Sequence, residues 1–381
     1  MVRRSFLEKG FLGKRYSGKR LLGKRGFAMQ FNWIFVLIAG AVIIGFFFSL
    51  INNLIHSDDA GTKVRATQEI DALLKINLAS ENTQKIADFG SKLSIVFFAD
   101  RETTYSEYSA KGSPRTARYD FNVIFSPNQL DADELLIQTF TLDTPFRSMP
   151  VVYATNREIE YVFLNMSSRV IQTILAFVPA NLTKKMIWEE EQLAFMENYP
   201  DRNYDRTVFV TDDINFNYIA GVRFDSFSRP AERLFVVVIT PGPGAIASYG
   251  NISFYRYTQD EGFVLNGTSP YFDHRLMIGG VISHDRNIFE NNMRKVLKRI
   301  NLLSGLYDRR IRRYAGEFEQ CTQLYVNVLD TLTGSSGSIK SLSEDRGELT
   351  YEDMSLIFAA SNELKQKNSA IVGGRDCPGI Y

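Results

Sequence analysis

Leu234-Phe235-Val236-Val237-Val238-Ile239-Thr240 is the stretch whose reading decides the fold. It is rich in Val and Phe, as is the shorter run Thr207 to Thr211 before it, and both favour β-strand. Upstream, Val170, Ile171, Ile174, Leu175 and Val178 stand at helical spacing over Ser167 to Phe177, and Pro179 stops the run. A second helix is expected through Lys184 to Asn198, closed by Pro200. Strand, helix pair, strand and apolar strand in this order predict α/β crossovers that pack helices on a mixed sheet.

Further toward the N-terminus the chain is β-rich, with strand-like runs at Leu93 to Ala99, Tyr119 to Phe125, Leu135 to Leu142, Val151 to Ala154 and Tyr161 to Leu164. Gly112-Ser113-Pro114, Pro127-Asn128 and Pro145 supply the breaks. Downstream, Ile252 to Tyr257, Gly262 to Leu265 and Leu276 to Ile282 are expected as antiparallel additions. From Asn287 to about Thr331 an apolar stripe recurs every three or four residues, including Met293, Leu297, Ile300, Ile311, Cys321 and Val328, which predicts long helix with a break near Ser304-Gly305. Thr350-Tyr351-Glu352-Asp353 reads as a capped helix start.

The N-terminus has a different character. Arg3, Arg4, Lys9, Lys14, Arg15, Lys19, Arg20, Lys24 and Arg25 face the single acid Glu8, and from Phe27 to Ser57 no charge occurs apart from His56. Some 20 apolar residues match a hydrocarbon core of about 30 Å, and basic residues beside a first span stay cytoplasmic. The expectation is a single-pass cell-membrane protein with its N-terminus inside and its C-terminal domain outside. The near-neutral total of 44 Lys+Arg and 43 Asp+Glu then divides into a tail of about +8 and a remainder of about −7. Membrane lipid is the partner such a tail fits, and no specific nucleic acid is expected. An envelope protein partner or self-assembly is the expectation for the exported part. A content of 29 Phe and 18 Tyr argues against disorder there.

Lys24-Arg25-Gly26-Phe27-Ala28-Met29-Gln30-Phe31 resembles the class III signal of type IV pilin-like proteins, in which a peptidase cuts after the glycine. That resemblance implies processing between Gly26 and Phe27, although Phe31 stands where the pilin pattern carries Glu. The layout as a whole, down to Asp376-Cys377-Pro378, is similar to single-span membrane proteins of archaea, a likeness that brings no activity with it. An uncleaved signal anchor is the simpler reading.

The expected fold class is therefore an α/β (α+β) ectodomain, with a mixed sheet and long C-terminal helices, on one N-terminal transmembrane helix. The expected divisions are a basic cytoplasmic tail (1–27), the transmembrane helix (28–55) and a juxtamembrane stalk helix (56–90). A mixed α/β ectodomain (91–285) and a C-terminal helical region (286–381) complete them. Within the stalk, Val64, Ile70, Leu73, Leu74 and Asn77 lie near a helical period.

Candidate sites are few. Cys321 and Cys377 are the only cysteines, and an even pair in an exported domain predicts a disulfide contributing about 4 kcal/mol. Asn165, Asn181, Asn251 and Asn266 meet the glycan acceptor rule; the last three are the candidates, with Asn266 expected in an exposed turn. Asp212 and Asp213 follow an apolar strand, where α/β sheets place ligand groups, so a membrane-anchored hydrolase near Asp212 is an alternative. His274 and His284, beside Asp273 and Asp285, are placed about 30 Å apart by an extended 276–282 segment, too far to share a metal. No catalytic residue, metal or cofactor is assigned. The basic pairs Arg294-Lys295, Lys298-Arg299, Arg309-Arg310 and Arg312-Arg313 are expected on a solvated helix face. Non-enzymatic binding or assembly is the function these features favour, with a processed pilin-like subunit as the other alternative.

Overall fold

The structure is a computed structural model describing residues 25–78, 83–98, 105–120, 123–143, 145–147, 149–199, 204–213, 224, 230–244, 248–334, 337–344, 347–373 and 377–381. The basic tail through Lys24 lies outside the described residues. Two compact units divide the chain, Met1–Asp59 and Ala60–Tyr381.

Helix α1, Arg25–Leu78, supplies what is described of the first unit, and Gly26 and Phe27 fall in its first turn. Its side chains are described there for 36–49, and all of them are exposed except at the half-buried Gly40. Among the described residues no helix is long and apolar enough to cross a membrane.

The second unit begins with the last turns of α1. Ala66, Ile70 and Leu74 turn one buried stripe inward, and Thr67 Oγ1 accepts from Ala110 N at 3.3 Å. Tyr108 donates to Asp71 at 3.1 Å, so this part of the helix is held on the strand that carries both residues. The helix ends at Leu78 and a strand starts at Gln84, so residues 84–90, expected in a stalk helix, belong to a sheet.

Two sheets of six strands follow, where the sequence pattern predicts one. The first has the order β3-β2-β1-β5-β6-β4 and comprises β1 (Gln84–Phe98), β2 (Tyr105–Ala110), β3 (Ala117–Asp120), β4 (Val123–Phe125), β5 (Gln129–Leu142) and β6 (Met149–Thr155). It is antiparallel apart from the β4–β6 pair. The second runs β12-β11-β10-β9-β7-β8, from β7 (Ile159–Phe163), β8 (Thr183–Met186), β9 (Arg206–Thr211), β10 (Leu234–Pro241), β11 (Tyr249–Thr258) and β12 (Gly262–Phe272). Strands β8, β7, β9 and β10 are parallel, and β11 and β12 are antiparallel additions. Phe235 to Val238 pairs on both sides, and Leu234 to Ile239 is buried apart from Phe235.

Between these strands lie α2 (Arg169–Phe177), α3 (Gln192–Glu197) and α4 (Pro230–Arg233). Ser168 caps α2 by accepting from Val170 N. The helix expected from Lys184 is instead β8, an edge strand whose Lys184 pairs beside Tyr161, followed by a short turn and α3. Sheet pairing overrides the helical preference of this segment.

Helices α5 (His274–Ser283), α6 (Arg286–Glu317), α7 (Thr322–Thr333), α8 (Ile339–Leu342) and α9 (Tyr351–Val372) complete the unit. The run 276–282, expected as a strand, is α5. Every residue from Leu276 to Ser283 is buried, so the run has no polar face to mark a helical period. Asp273 caps it by accepting from Arg275 N, and its glycines let it lie against the sheets. A Cβ on Gly279 would meet the Phe125 ring at 2.6 Å, and one on Gly280 would meet Ile252 Cδ1 at 2.5 Å.

Helix α6 runs through Ser304-Gly305 without the expected break. The interruption lies instead at Phe318, its C-cap, before a single tight turn leads into α7. The predicted stripe is nevertheless the buried one, from Met293 to Val328. Thr350 caps α9 through Asp353 N, as the capping pattern predicts.

Candidate polar cavity

The amino-terminal ends of β9 and β10 and the junction between α5 and α6 enclose a cavity of about 750 Å³. That volume is within the range of small-molecule sites, about 300–1,000 Å³. Arg206, the first residue of β9, lines it opposite His284, which is the left-handed C-cap of α5 with φ 39°. The start of β5 contributes Gln129 and Asp131, the β6–β7 connection Asn156, and the end of β11 Tyr255.

Hydrogen bonding sets the charge state of the two central groups. His284 Nδ1 lies 3.0 Å from the Ile282 carbonyl, which only accepts, so this nitrogen carries the proton. The bare Nε2 then accepts from Arg206 Nη1 at 3.0 Å. Burial, and next the Arg206 charge, push the His284 pKa well below its ordinary value, against the pull of the Ile282 bond. The imidazole is thus a neutral acceptor that orients the guanidinium. Arg206 Nη2 also donates to the Gln129 carbonyl at 2.7 Å, and the Phe235 ring lies 5.8 Å from its guanidinium carbon. Burial lowers the Arg206 pKa, opposed by the fields of Tyr161, Asp131, Asp205 and Asp285, and the group remains a cation.

The neighbouring carboxylates have other partners. Lys92 binds Asp205 at 3.1 Å and also binds Glu158 at 2.5 Å. Asp285 accepts from Ile288 N at 3.1 Å and caps α6, while Gln129 Nε2 reaches Asp131 at 3.1 Å. Among the described residues no carboxylate lies within 4.0 Å of the Arg206 guanidinium. Two buried polar atoms on the cavity wall also have no partner among them, Asn156 Oδ1 and Ser283 Oγ.

The residues picked out from sequence lie elsewhere for the most part. Asp212 follows the carboxyl end of β9, a strand length of about 20 Å from Arg206. Its carboxylate accepts from Asn165 Nδ2 at 2.9 Å and from Ser168 Oγ, so it ties the end of β7 to the cap of α2. His274 begins α5 and His284 ends it, about 15 Å apart along a helix rather than the 30 Å of an extended strand. His274 stacks on Phe177, with ring centroids 3.9 Å apart, and does not join the cavity. Among the described residues no group of three or more His, Cys, Asp or Glu is placed to hold a metal.

Asn181 is exposed ahead of β8, and Asn251 is half-buried inside β11, paired with Thr240 and Pro270. Asn266 is exposed, but at a register shift within β12 and on the cavity rather than in a turn. Cys321 and Cys377 are joined as a disulfide, with Cα atoms 6.0 Å apart. The C-terminal residues have further ties: Tyr325 donates to the Pro378 carbonyl at 2.9 Å, Asn368 accepts from Ile380 N at 2.9 Å, and Ile380 is buried. Of the basic pairs, Arg294 and Lys295 are buried, contrary to the expected solvated face; Arg294 binds Glu290 at 2.7 Å. Arg312 and Arg313 keep that face, paired with Asp308 and Glu317.

The cavity escapes a sequence reading because separate segments supply its walls, with no spacing to join them. Of its lining residues the sequence marks only His284 and Asp285, as polar ends of a strand, and Asn266, as a glycan acceptor. No protein-family model, curated protein or solved structure matches the chain.

Proposed function

We propose that this protein is a single-span, membrane-anchored envelope protein whose domain from residue 60 onward is a non-enzymatic binding domain outside the cell membrane. One observation carries the reading. Between 36 and 49, α1 exposes Val36, Leu37, Ile38, Val42, Phe46 and Phe48 to between 58% and 71%, on every side of the helix. A helix apolar all round is unfavourable in water and suits lipid. In the sequence the uncharged run extends on both sides, from Phe27 to Ser57, and the basic tail precedes it. Excess Lys and Arg place that tail on the cytoplasmic side.

The test is extraction and topology together. Alkaline carbonate washing should leave the full chain in the membrane fraction, and external protease on intact cells should degrade an epitope at position 260 and spare one at position 10. Release into the wash, or the reverse protease pattern, overturns the proposal.

A further inference from the structure

The cavity has features that point to the chemistry of an occupant. Arg206 presents a guanidinium whose position is set by acceptors on both sides, His284 Nε2 and the Gln129 carbonyl. Both acceptors are neutral. Of the four acids on the wall, Asp205 pairs with Lys92, Asp131 accepts from Gln129 and Asp285 caps α6, while Glu232 is the fourth. A desolvated cation held in this way is complemented best by an anionic group, which a guanidinium takes through charge-assisted hydrogen bonds. The amino terminus of the 32-residue helix α6 reaches the same cavity, with Asn287 of its first turn on the wall and the Asp285 carboxylate as its cap.

The unpartnered atoms add a second requirement. Asn156 donates through Nδ2 to the Asp131 carbonyl at 3.2 Å, which fixes the amide so that Oδ1 is the atom left for a ligand. Asn156 is only 1% exposed and Ser283 is fully buried. An occupant that reaches these atoms donates a hydrogen bond to Asn156 Oδ1 and bonds the Ser283 hydroxyl in either sense. A halide or sulfate lacks the donors, and hydrogen phosphate has too short a reach to serve the guanidinium and both wall atoms together; a hydroxyl-bearing molecule can.

We propose that the cavity between β9, β10 and the α5–α6 junction binds a small anionic polyol of the sugar acid or sugar phosphate class, its anionic group on Arg206 and its hydroxyls on Asn156 and Ser283. This rests on reading residues 60–381 as a binding domain, and it is independent of the anchor: carbonate extraction tests the anchor, while ligand titration tests the cavity.

The experiment is isothermal titration calorimetry of the full chain in detergent with sodium glucuronate, glucose 6-phosphate and neutral glucose. At least one of the two anionic sugars should bind, and the tighter of them names the anionic group as carboxylate or phosphate. Glucose should bind at least tenfold more weakly. Arg206→Gln should weaken the anionic sugar at least tenfold. Ser283→Ala, which removes one oxygen and leaves the packing in place, should weaken it about threefold or more and decides the matter if the arginine variant fails to fold. Absence of heat with both anionic sugars, glucose binding as tightly as they do, or unchanged affinity in Ser283→Ala overturns the proposal.

Discussion

Arg206 donates to His284 Nε2 at 3.0 Å while the same imidazole donates from Nδ1 to the carbonyl of Ile282, two residues earlier in its own chain. A charge on β9 is thus locked to the end of α5 by a ring that must stay neutral. Protonating His284 would replace the acceptor facing Arg206 with a second cation.

The pH dependence of stability follows from this pair. Burial holds the folded His284 well below its ordinary value of 6.5, so the unfolded chain takes up the extra proton as the pH drops under about 6.5. The stabilising contribution is complete above that pH and is lost progressively as pH falls. Burial shifts His274 in the same direction. The melting temperature should decline between about pH 7 and pH 5, and His284→Asn, which tolerates the left-handed backbone, should start lower and decline less steeply. An equal slope in the variant would remove His284 from the account.

The disulfide gives a second prediction. Cys377→Ser should remove up to about 4 kcal/mol of loop-closure stabilisation, read as a lowered denaturant midpoint. The tail should stay partly docked through Tyr325, Asn368 and Ile380. Complete digestion of residues 377–381 in the folded variant would mean that the bridge alone holds them.

Two glycines in helices should respond with opposite signs. Gly279→Ala puts a Cβ into the Phe125 ring and should cost about 1–3 kcal/mol. Gly305→Ala meets nothing within 4 Å and should stabilise α6 by up to about 1 kcal/mol. Thermal melts of the two variants check the packing of α5 directly.

Asp212 supplies a structural control for the hydrolase alternative. Asp212→Ala leaves Asn165 and Ser168 without their shared acceptor and should cost about 1–3 kcal/mol. The test is a melt beside titration of the same sugars, and binding should be unchanged, because the residue lies at the far end of β9 from the cavity.

Processing is settled by sequencing the mature N-terminus. A start at Met1 or Val2 fits the uncleaved anchor; a start at Phe27 transfers the chain to the pilin-like class.

Local pattern carried the parallel strands well. Val236 to Ile239, Tyr161 to Phe163 and Thr207 to Thr211 are all strands, as their apolar runs predict, and the structure gathers them in the second sheet. Long-range facts were beyond it. Nothing in Leu276 to Ile282 distinguishes a buried helix from a buried strand, because a segment surrounded on all sides loses its periodicity. Lys184 and Lys185 suit a helix surface or an edge strand equally, and only the presence of β7 decides. Arg294 and Lys295 read as surface charge because an i, i+4 partner such as Glu290 fits any helix face, while the approach of the Gly347 carbonyl to Arg294 and of Ser106 to Lys295 cannot be seen from spacing. The candidate site suffered most, since Arg206, Asn156 and Ser283 become neighbours only when both sheets are in place.

The link between Cys321 and Cys377 turns the chain between them, with α7, α8 and α9, into a covalent ring spanning 56 positions. Drawn out by mechanical force, that ring would keep back about 190 Å of contour, at about 3.4 Å per residue. In an optical trap the fully stretched oxidised chain should therefore be shorter than the reduced one by roughly that length, less the span of the bridge itself. Tension would open the sheets while the segment between the two cysteines stayed tethered as a closed knot of helix.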